Sequence, residues 1–272
     1  MPPVEEALLL VIAGVVIGAY SISIGAGGGF LIAPLLLIRY PDAPPEVITT
    51  ASLSAVVITS FASSAIVIPE RRVDMPVALA IAAIAVPAGI VGALGTVALP
   101  RVAFALGFAA LLVTLALYII RRPISSTPPP NADGVQRVIE DRDGHRFEYR
   151  IPIRRSIAPN LGMAFLSALA GIGGGPIGVP IMTRVMRIPH AIAVPTVQVR
   201  TGISAAVIVL FHLTLGHAGD PMADVPFLGL GVIIANPFGQ RLRRRLGEGP
   251  LMRALAFGLF LVAARTAYGA FQ

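Results

Sequence analysis

Residues 25–30 read Gly-Ala-Gly-Gly-Gly-Phe, and residues 171–176 read Gly-Ile-Gly-Gly-Gly-Pro. Both stretches lie inside strongly apolar sequence, and a proline follows each of them, at Pro34 and Pro180. Each glycine costs a helix interior roughly 1 kcal/mol relative to alanine, so a continuous helix is not expected at either place. A broken helix persists in hydrocarbon only where it is buried in protein or lines a polar cavity. Two breaks in corresponding places therefore predict a binding site between two repeats of a membrane transporter.

The composition is that of a membrane protein. Of the 272 residues, 56% are hydrophobic and 13% are charged, and the mean hydropathy is +0.83. The chain has no cysteine, which excludes disulfides and thiolate metal sites, and the spacing of its histidines does not suggest a metal site. We therefore expect no metal and no cofactor. The net charge of +7 comes from arginines that lie mostly between apolar runs, which indicates membrane topology rather than nucleic-acid binding.

Ten apolar segments form two sets of five. The first set covers about residues 7–24, 28–38, 47–68, 76–98 and 102–120, and the second covers about residues 157–172, 176–188, 191–213, 225–240 and 250–270. The second segment of each set is shorter than the ~20 residues of a membrane span, so we expect half-helices or re-entrant pieces there. The pattern predicts an all-α integral membrane protein with repeat 1 at residues 1–122 and repeat 2 at residues 156–272.

Residues 123–155 separate the two sets and differ from them in composition. Residues 125–130 read Ser-Ser-Thr-Pro-Pro-Pro, which is typical of a linker. Alternating residues on either side of the turn Asp141–Gly144 predict a small β-hairpin. Because an isolated hairpin is only marginally stable, we expect it to pack on the membrane domain or on the neighbouring subunit of a homodimer. The alternative is a mobile linker.

The arginines concentrate in one set of connecting segments. These are Arg71 and Arg72, residues 121–155, Arg184 and Arg187, and Arg241–Arg245. The N-terminus and the segments 39–46 and 213–224 contain only Arg39. The positive-inside rule places the arginine-rich set in the cytoplasm. With five segments in each half, the halves then become inverted copies, an arrangement common in secondary transporters.

A common offset of 146 residues supports the repeat. It aligns Gly25 with Gly171, Gly29 with Gly175, Pro34 with Pro180, Thr50 with Thr196 and Ser52 with Gln198.

At these residues the chain resembles the sulfite exporter TauE/SafE family, also called toluene-sulfonate uptake permeases. The resemblance rests on an ordered set of motifs: Gly25–Pro34, Thr50–Leu53, Arg71–Asp74, Pro87–Gly92 and Gly171–Pro180. It implies an integral membrane carrier for sulfur-containing organic or inorganic anions. The chain departs from the family at residues 195–200, which read Pro-Thr-Val-Gln-Val-Arg where the second half often has another Gly-Thr-Ser. This departure leaves the identity of the anion open.

The glycine breaks supply the first candidate site residues. A helix that restarts after a break directs free N–H groups and a partial positive charge toward the bilayer centre, which suits an anion. Close helix packing through small residues is the alternative. The candidates are Gly27, Gly28, Gly29, Gly173, Gly174 and Gly175.

Polar side chains on the third segment of each repeat supply the others. Thr50 and Ser52 align with Thr196 and Gln198, and their side chains offer hydrogen-bond donors. Arg200 lies about ten residues into its segment, a depth of ~15 Å, where an arginine is costly and usually marks a transport pathway. Its guanidinium also matches the geometry of a sulfonate or carboxylate. Snorkelling to the interface is the alternative.

These observations predict transport of a small sulfur-containing anion, in the export direction, across the inner (plasma) membrane of a bacterial cell. An uptake permease for another organic anion, such as a carboxylate or sulfonate, is one alternative, and a non-transporting membrane scaffold is another. A membrane-embedded enzyme is not expected, because no nucleophile–base pair or paired carboxylates fall inside the predicted spans. The absence of acids there also argues against a carboxylate proton relay. The expected partners are the lipid bilayer and the anion.

Overall fold

The computed structural model describes residues 3–23, 29–121, 134–245 and 248–269, and these ranges are helical apart from one two-stranded sheet. The helices before the sheet are α1 (Val4–Ser23), α2 (Gly29–Arg39), α3 (Pro45–Val67), α4 (Met75–Val97) and α5 (Arg101–Arg121). Those after it are α6 (Ile153–Ala170), α7 (Gly175–Pro180), α8 (His190–Thr214), α9 (Val225–Arg245) and α10 (Glu248–Gly269). The predicted all-α class, with its two sets of five segments, is confirmed.

Six helical stretches in the described ranges are long and apolar enough to cross a bilayer. They are Val4–Ser23, Pro45–Val67, Met75–Val97, Arg101–Arg121, His190–Thr214 and Asp220–Leu242. Large apolar side chains such as Leu8, Leu94 and Leu261 project from the outside of the bundle. Soluble monomers rarely expose an apolar surface of this extent, so these side chains face lipid.

The helices pack as two interlocked halves. Helix α1 packs on α9 and α4 on α6, while α3 contacts α9 and α8 contacts α4. Helix α3 also packs on α8, and α5 packs on α10. Replacing each helix by its counterpart five places along the chain leaves this set of pairs unchanged. The packing is therefore that of two repeats related by a two-fold axis.

The second helix of each repeat is short, as its sequence predicts. Helix α2 has 11 residues, whereas α7 has six and continues into a π-helical turn at Ile181–Val185. At 1.5 Å per residue, neither element crosses the roughly 30 Å of a hydrocarbon core. These two elements follow the glycine breaks, and the longer helices enclose them.

The predicted hairpin is present. Strand β1 (Val135–Glu140) pairs antiparallel with β2 (Arg146–Ile151), with Val135 opposite Ile151 and Glu140 opposite Arg146. Gly144 in the turn has φ +83°, a conformation that favours glycine. The alternating sequence on either side of the turn thus gives the expected two-stranded ribbon.

Buried ion pairs hold the hairpin against the turn between α3 and α4. The carboxylate of Asp74 accepts two hydrogen bonds from Arg137, at 2.9 and 2.7 Å, and one from the Tyr149 hydroxyl at 2.6 Å. Arg72 in turn donates to Asp141 at 3.0 and 2.7 Å. The hairpin therefore packs on the membrane domain of its own chain, one of the two predicted arrangements.

Asp141 remains ionised over the physiological range. Burial alone would raise the pKa of its carboxyl, but hydrogen bonds from the backbone N–H of His145 and from Arg72 lower that pKa to about 2.

Carboxylate oxygens of Asp141 and Asp143 and a ring nitrogen of His145 lie within 4.8 Å of one another, a spacing that could hold a metal ion. Arg72 already pairs with both carboxylates, so its guanidinium supplies the positive charge that a metal ion would otherwise provide.

The two halves begin at opposite faces of the bundle. At one face, Arg39 pairs with Glu6 at the start of α1 at 2.6 Å and with Asp224 before α9 at 2.7 Å. The hairpin lies at the other face, because α3 runs 23 residues, or roughly 35 Å, away from the Arg39 end. Helix α1 therefore begins at the Arg39 face and α6 at the hairpin face, so the halves are inverted.

The sequence-based topology did not count Arg101, Arg253 and Arg265. Arg101, at the start of α5, also lies at the Arg39 face, where it donates to the carbonyl oxygens of Leu37 and Ala43 at 2.6 Å each. The excess of arginine still falls on the hairpin face. The division of the chain at residues 122 and 155 stays a prediction, because residues 122–133 lie outside the described ranges.

Candidate functional site

The second glycine break is a left-handed turn between two helices. Helix α6 ends at Ala170, and Gly171, Gly173 and Gly174 have φ values of +68°, +74° and +81° before α7 begins at Gly175. A residue with a side chain adopts this region only at a cost of roughly 1–2 kcal/mol, so the three glycines allow the turn. The first break, which includes Gly27 and Gly28, lies outside the described residues; α1 ends before it and α2 begins after it at Gly29.

The break packs directly on α3 of the other repeat. The Ser52 hydroxyl donates to the carbonyl oxygen of Gly171 at 2.8 Å. A Cβ on Gly171 would lie 3.1 Å from the Cα of Thr49, and one on Gly173 would collide with the Val56 side chain. Glycine therefore lets the break of repeat 2 approach the backbone of repeat 1, which places the break at the interface between the repeats.

Arg200 is buried in the middle of α8 with little to compensate its charge. The residue is 2% exposed, and its Nη2 donates a hydrogen bond to Thr201 Oγ1 at 3.1 Å. Among the described residues, its Nε has no hydrogen-bond partner. Across the four described ranges, no carboxylate lies within the 4.0 Å of an ion pair with Arg200. An arginine at a membrane helix centre costs about 2.5–3.5 kcal/mol even on insertion scales, which makes Arg200 a candidate functional residue.

The guanidinium reaches a small cavity that both repeats enclose. The cavity has a volume of about 20 Å³ and is lined by Gly173, Gly174 and Arg200, together with Ser167 of α6 and Ser204 of α8. Apolar residues complete the lining, and they are contributed by α3, α4, α6 and α8. A water needs roughly 10–15 Å³ of such space, so the cavity in this conformation holds about one water.

Two polar groups converge on Gly174. A Cβ at this position would lie 2.6 Å from Nη2 of Arg200 and 3.5 Å from Oγ of Ser167. The Ser167 hydroxyl is buried and has no hydrogen-bond partner in the part of the chain that the structure describes. The Ser204 hydroxyl is different, because it donates to the carbonyl oxygen of Arg200 at 3.0 Å. Glycine at position 174 thus keeps the space between an arginine and an unengaged hydroxyl free of protein atoms.

Three of the predicted site residues meet at this cavity: Gly173, Gly174 and Arg200. Gly175 is next to them as the first residue of α7. Ser52 contacts the break through Gly171 but does not line the cavity.

The other predicted hydroxyls are engaged elsewhere. Thr50 donates to the carbonyl oxygen of Glu46 at 2.6 Å. Thr196 donates to the carbonyl oxygen of Ile192 at 2.7 Å and accepts from the backbone N–H of Asp74 at 3.0 Å. Thr196 thereby ties the start of α8 to the start of α4, next to the hairpin. These contacts are structural in the conformation described.

Gln198 is buried but points away from Arg200. Two residues along a helix correspond to a rotation of about 200°, so the two side chains lie on nearly opposite sides of α8. Both polar atoms of the Gln198 amide are buried and without a hydrogen-bond partner among the described residues. The structure therefore does not bring Gln198 and Arg200 into one site.

Sequence reasoning missed Ser167. A single serine in an apolar helix is common and usually bonds to its own backbone. The available signal was its position four residues before Gly171, which places it one turn ahead of the break. Only the arrangement of α6, α7 and α8 around the cavity shows that this serine lies close to the arginine.

A larger cavity lies elsewhere and does not suit an anion. Its volume is about 230 Å³, and it lies between the hairpin, α4 and α6 with a mainly apolar lining. The arginine on its wall, Arg137, already pairs with Asp74 at 2.7 Å. The smaller cavity at Arg200 is therefore the candidate functional site.

An inverted-repeat membrane fold with a buried arginine in its interior is typical of membrane transporters. Comparison with known proteins agrees. The chain belongs to the sulfite exporter TauE/SafE family, whose family model matches residues 10–266. Membership assigns the chain to a family of membrane transporters rather than to enzymes.

One similar curated protein is the probable membrane transporter protein YunE of Bacillus subtilis (strain 168). It is 24% identical over 269 aligned residues, which cover 96% of this chain and 97% of the relative. No solved structure matches the chain.

The geometry at Gly174 generates a prediction. Gly174→Ala adds a methyl group 2.6 Å from the Arg200 guanidinium and forces alanine to adopt a φ of +81°. We expect a loss of about 1–2 kcal/mol from the backbone alone. At roughly 2–4 °C per kcal/mol, the midpoint of thermal unfolding in detergent should fall by several degrees.

The control is Gly162→Ala in α6, where no atom lies within 4 Å of the added methyl group. This variant should be as stable as the parent or slightly more stable, because alanine favours a helix. Equal midpoints for Gly174→Ala and the parent would contradict the described turn.

Proposed function

We propose that the chain exports a small sulfur-containing anion, of the sulfite or organosulfonate class, through the cavity at Arg200. The observation that carries this proposal is a buried guanidinium that has no carboxylate partner in the described ranges. A buried charge without a partner is strongly destabilising, and a bound oxyanion would supply the missing countercharge and hydrogen-bond acceptors. The description of the family as sulfite exporters supports the choice of anion.

The position of the cavity fits alternating access. It is enclosed by helices of both repeats and by the break that joins α6 to α7. Substrate sites of inverted-repeat transporters lie at such interfaces, where one repeat can rock against the other. With a volume of about 20 Å³ the cavity has room for about one water in the described conformation. Binding would require α6 and α8 to separate or the Arg200 side chain to move.

The arginine distribution supports an orientation with the hairpin face in the cytoplasm of a cell whose inner membrane holds the protein. Arg72 and Arg137 belong to the hairpin face, with Arg184 near the end of α5. The Arg39 face holds Arg39 and Arg101, which are engaged by local partners. Both termini then lie outside.

The membrane potential favours the export direction. A potential that is negative inside drives an anion outward by ~2.3 kcal/mol per charge per 100 mV. Export therefore needs no coupling ion, whereas uptake would work against the same field. The acids of the described spans lie at or near the span ends, at Glu5, Glu6, Glu46, Asp220 and Asp224, so none is at mid-span for a proton relay, although His212 lies buried at the end of α8.

The first test replaces the arginine. We expect Arg200→Gln to weaken sulfite and methanesulfonate binding at least 100-fold, because charge-assisted hydrogen bonds are lost. Thermal stability should not fall, because an uncompensated buried charge is removed as well. Isothermal titration and thermal unfolding of the detergent-purified protein measure the two quantities.

Two variants serve as its controls. Arg154→Gln removes the same charge from an exposed site, and Ser60→Ala removes a buried hydroxyl that does not line the cavity. Both should bind these anions as the parent does. If Arg200→Gln behaves like either control, Arg200 lies outside the binding site.

The orientation can be tested by cysteine labelling, since the chain contains no cysteine. Pro3→Cys should react with an impermeant maleimide added to intact cells, because α1 begins at the outer face. Gln136→Cys should react only after permeabilisation, because its exposed side chain belongs to the hairpin. Labelling of Gln136→Cys in intact cells would reverse the proposed orientation.

Energy coupling can be tested in liposomes loaded with methanesulfonate. Efflux should accelerate as the internal potential is made more negative, in keeping with ~2.3 kcal/mol per charge per 100 mV. Arg200→Gln liposomes provide the background rate. If the efflux rate does not depend on the potential but follows an imposed pH gradient, export is coupled to protons and is not driven by the potential.

A further inference from the structure

We infer that Ser167 is a specificity-determining residue that selects anions with three oxygen atoms over carboxylates. Its hydroxyl would donate to the oxygen that the Arg200 guanidinium does not engage. The inference rests on the proposed anion site at Arg200 and concerns which anions that site prefers.

The Ser167 hydroxyl is not used by its own helix. Hydroxyls inside apolar helices usually donate to the carbonyl oxygen three or four residues earlier. Ser156 of α6 donates in this way to Pro152 at 2.8 Å, and Ser204 donates to Arg200 at 3.0 Å. Ser167 is 6% exposed, and its Oγ has no partner in the described part of the chain. Its donor therefore remains available to a ligand.

The counterpart in the other repeat behaves differently. At the offset of 146 residues, Ser167 corresponds to Ser21 of α1, whose hydroxyl donates to the carbonyl oxygen of Ile17 at 2.5 Å. The serine hydroxyl at this place of the repeat is thus hydrogen-bonded to its own helix in repeat 1, whereas in repeat 2 it has no partner among the described residues. Repeat 2 is also the half that carries the buried arginine.

Ser167 and Arg200 reach the same space from different helices. The position of a Cβ on Gly174 is 3.5 Å from Ser167 Oγ and 2.6 Å from Arg200 Nη2, and both side chains line the cavity. A small anion bound in this space could place two of its oxygens against the Arg200 guanidinium and a third against the Ser167 hydroxyl. Donors on α6 and α8 thus converge on one small anion.

The number of donors determines which anion fits best. A guanidinium presents a planar fork that binds two oxygen atoms side by side. A carboxylate has only these two oxygens, whereas sulfite and sulfonates have a third that points away from the fork. A hydroxyl on another helix can serve that third oxygen. A site built for a polar contact discriminates against a ligand that cannot make it, because the buried group is then left unpaired.

The experiment compares methanesulfonate with acetate, which have the same methyl group and the same charge but differ in oxygen count. Their affinities are measured by isothermal titration on the detergent-purified full chain. The parent should bind methanesulfonate more tightly. Ser167→Ala should weaken methanesulfonate binding about 10-fold and change acetate binding by less than about 2-fold, because the lost donor serves only the third oxygen.

Ser204→Ala is the matched control. It removes a hydroxyl from the same cavity wall, but that hydroxyl is already bonded to the Arg200 carbonyl, so the ratio of the two affinities should stay at the parent value. Thermal unfolding of each variant verifies that it is folded.

The outcomes separate the two proposals. Suppose that Arg200→Gln weakens methanesulfonate binding as proposed, but Ser167→Ala leaves the ratio of the methanesulfonate and acetate affinities unchanged. The anion site then stands, and the role of Ser167 is overturned, whether Ser167→Ala weakens both affinities equally or neither. If Arg200→Gln retains methanesulfonate binding, the anion site itself is misplaced. A changed ratio in Ser167→Ala but not in Ser204→Ala supports the inference.

Discussion

The buried charge of Arg200 is the constraint on which the rest of the site depends. A guanidinium in an apolar bundle needs either a countercharge or a ligand, and no described carboxylate approaches it. The residues beside the guanidinium are glycines, at Gly174 and Gly178. Because they have no side chain, the backbone around α7 leaves room for the large planar group. The left-handed turn at Gly171–Gly174 brings that backbone into place. The glycine break thus has two effects. It interrupts the helix, and it lets the backbone lie close to the Arg200 guanidinium.

The two repeats share a scaffold but not a site. The helix pairs named above are conserved when the repeats are exchanged. The polar residues are not, because Arg200 corresponds to Ser54, whose hydroxyl donates to the Thr50 carbonyl at 2.8 Å. Ser167 likewise corresponds to the satisfied Ser21. Symmetric packing provides an interface between the halves, and the buried arginine lies in only one of them. Under the proposed function, this asymmetry gives a single anion site among the described residues.

The hairpin connects the repeats at one face of the bundle. Its Arg137 and Tyr149 share the carboxylate of Asp74, which also caps α4, and the Asp74 backbone N–H donates to Thr196 of α8. A marginal two-stranded ribbon is stabilised here by ion pairs with a buried acid rather than by a core of its own. The start of α4 and the start of α8 are held together at the same point, so the hairpin packs where elements of both repeats meet.

The sequence by itself determined the membrane class, the two sets of five helices, the hairpin around Gly144, the break before Gly175 and the position of Arg200 deep within an apolar helix. These features follow from apolar length, alternation, glycine cost and the expense of a buried charge, all of which are local properties. The tertiary structure decided which polar groups join Arg200. Thr50 and Thr196 have plausible spacing, but their hydroxyls bond to their own helices. Ser167 lies one turn before the break, a position that does not by itself single it out, yet its Oγ lies 3.5 Å from where a Cβ on Gly174 would be. A hydroxyl can donate either to its own helix or to a group on another element, and that choice depends on how α6, α7 and α8 are arranged around the cavity, which no spacing along the chain encodes.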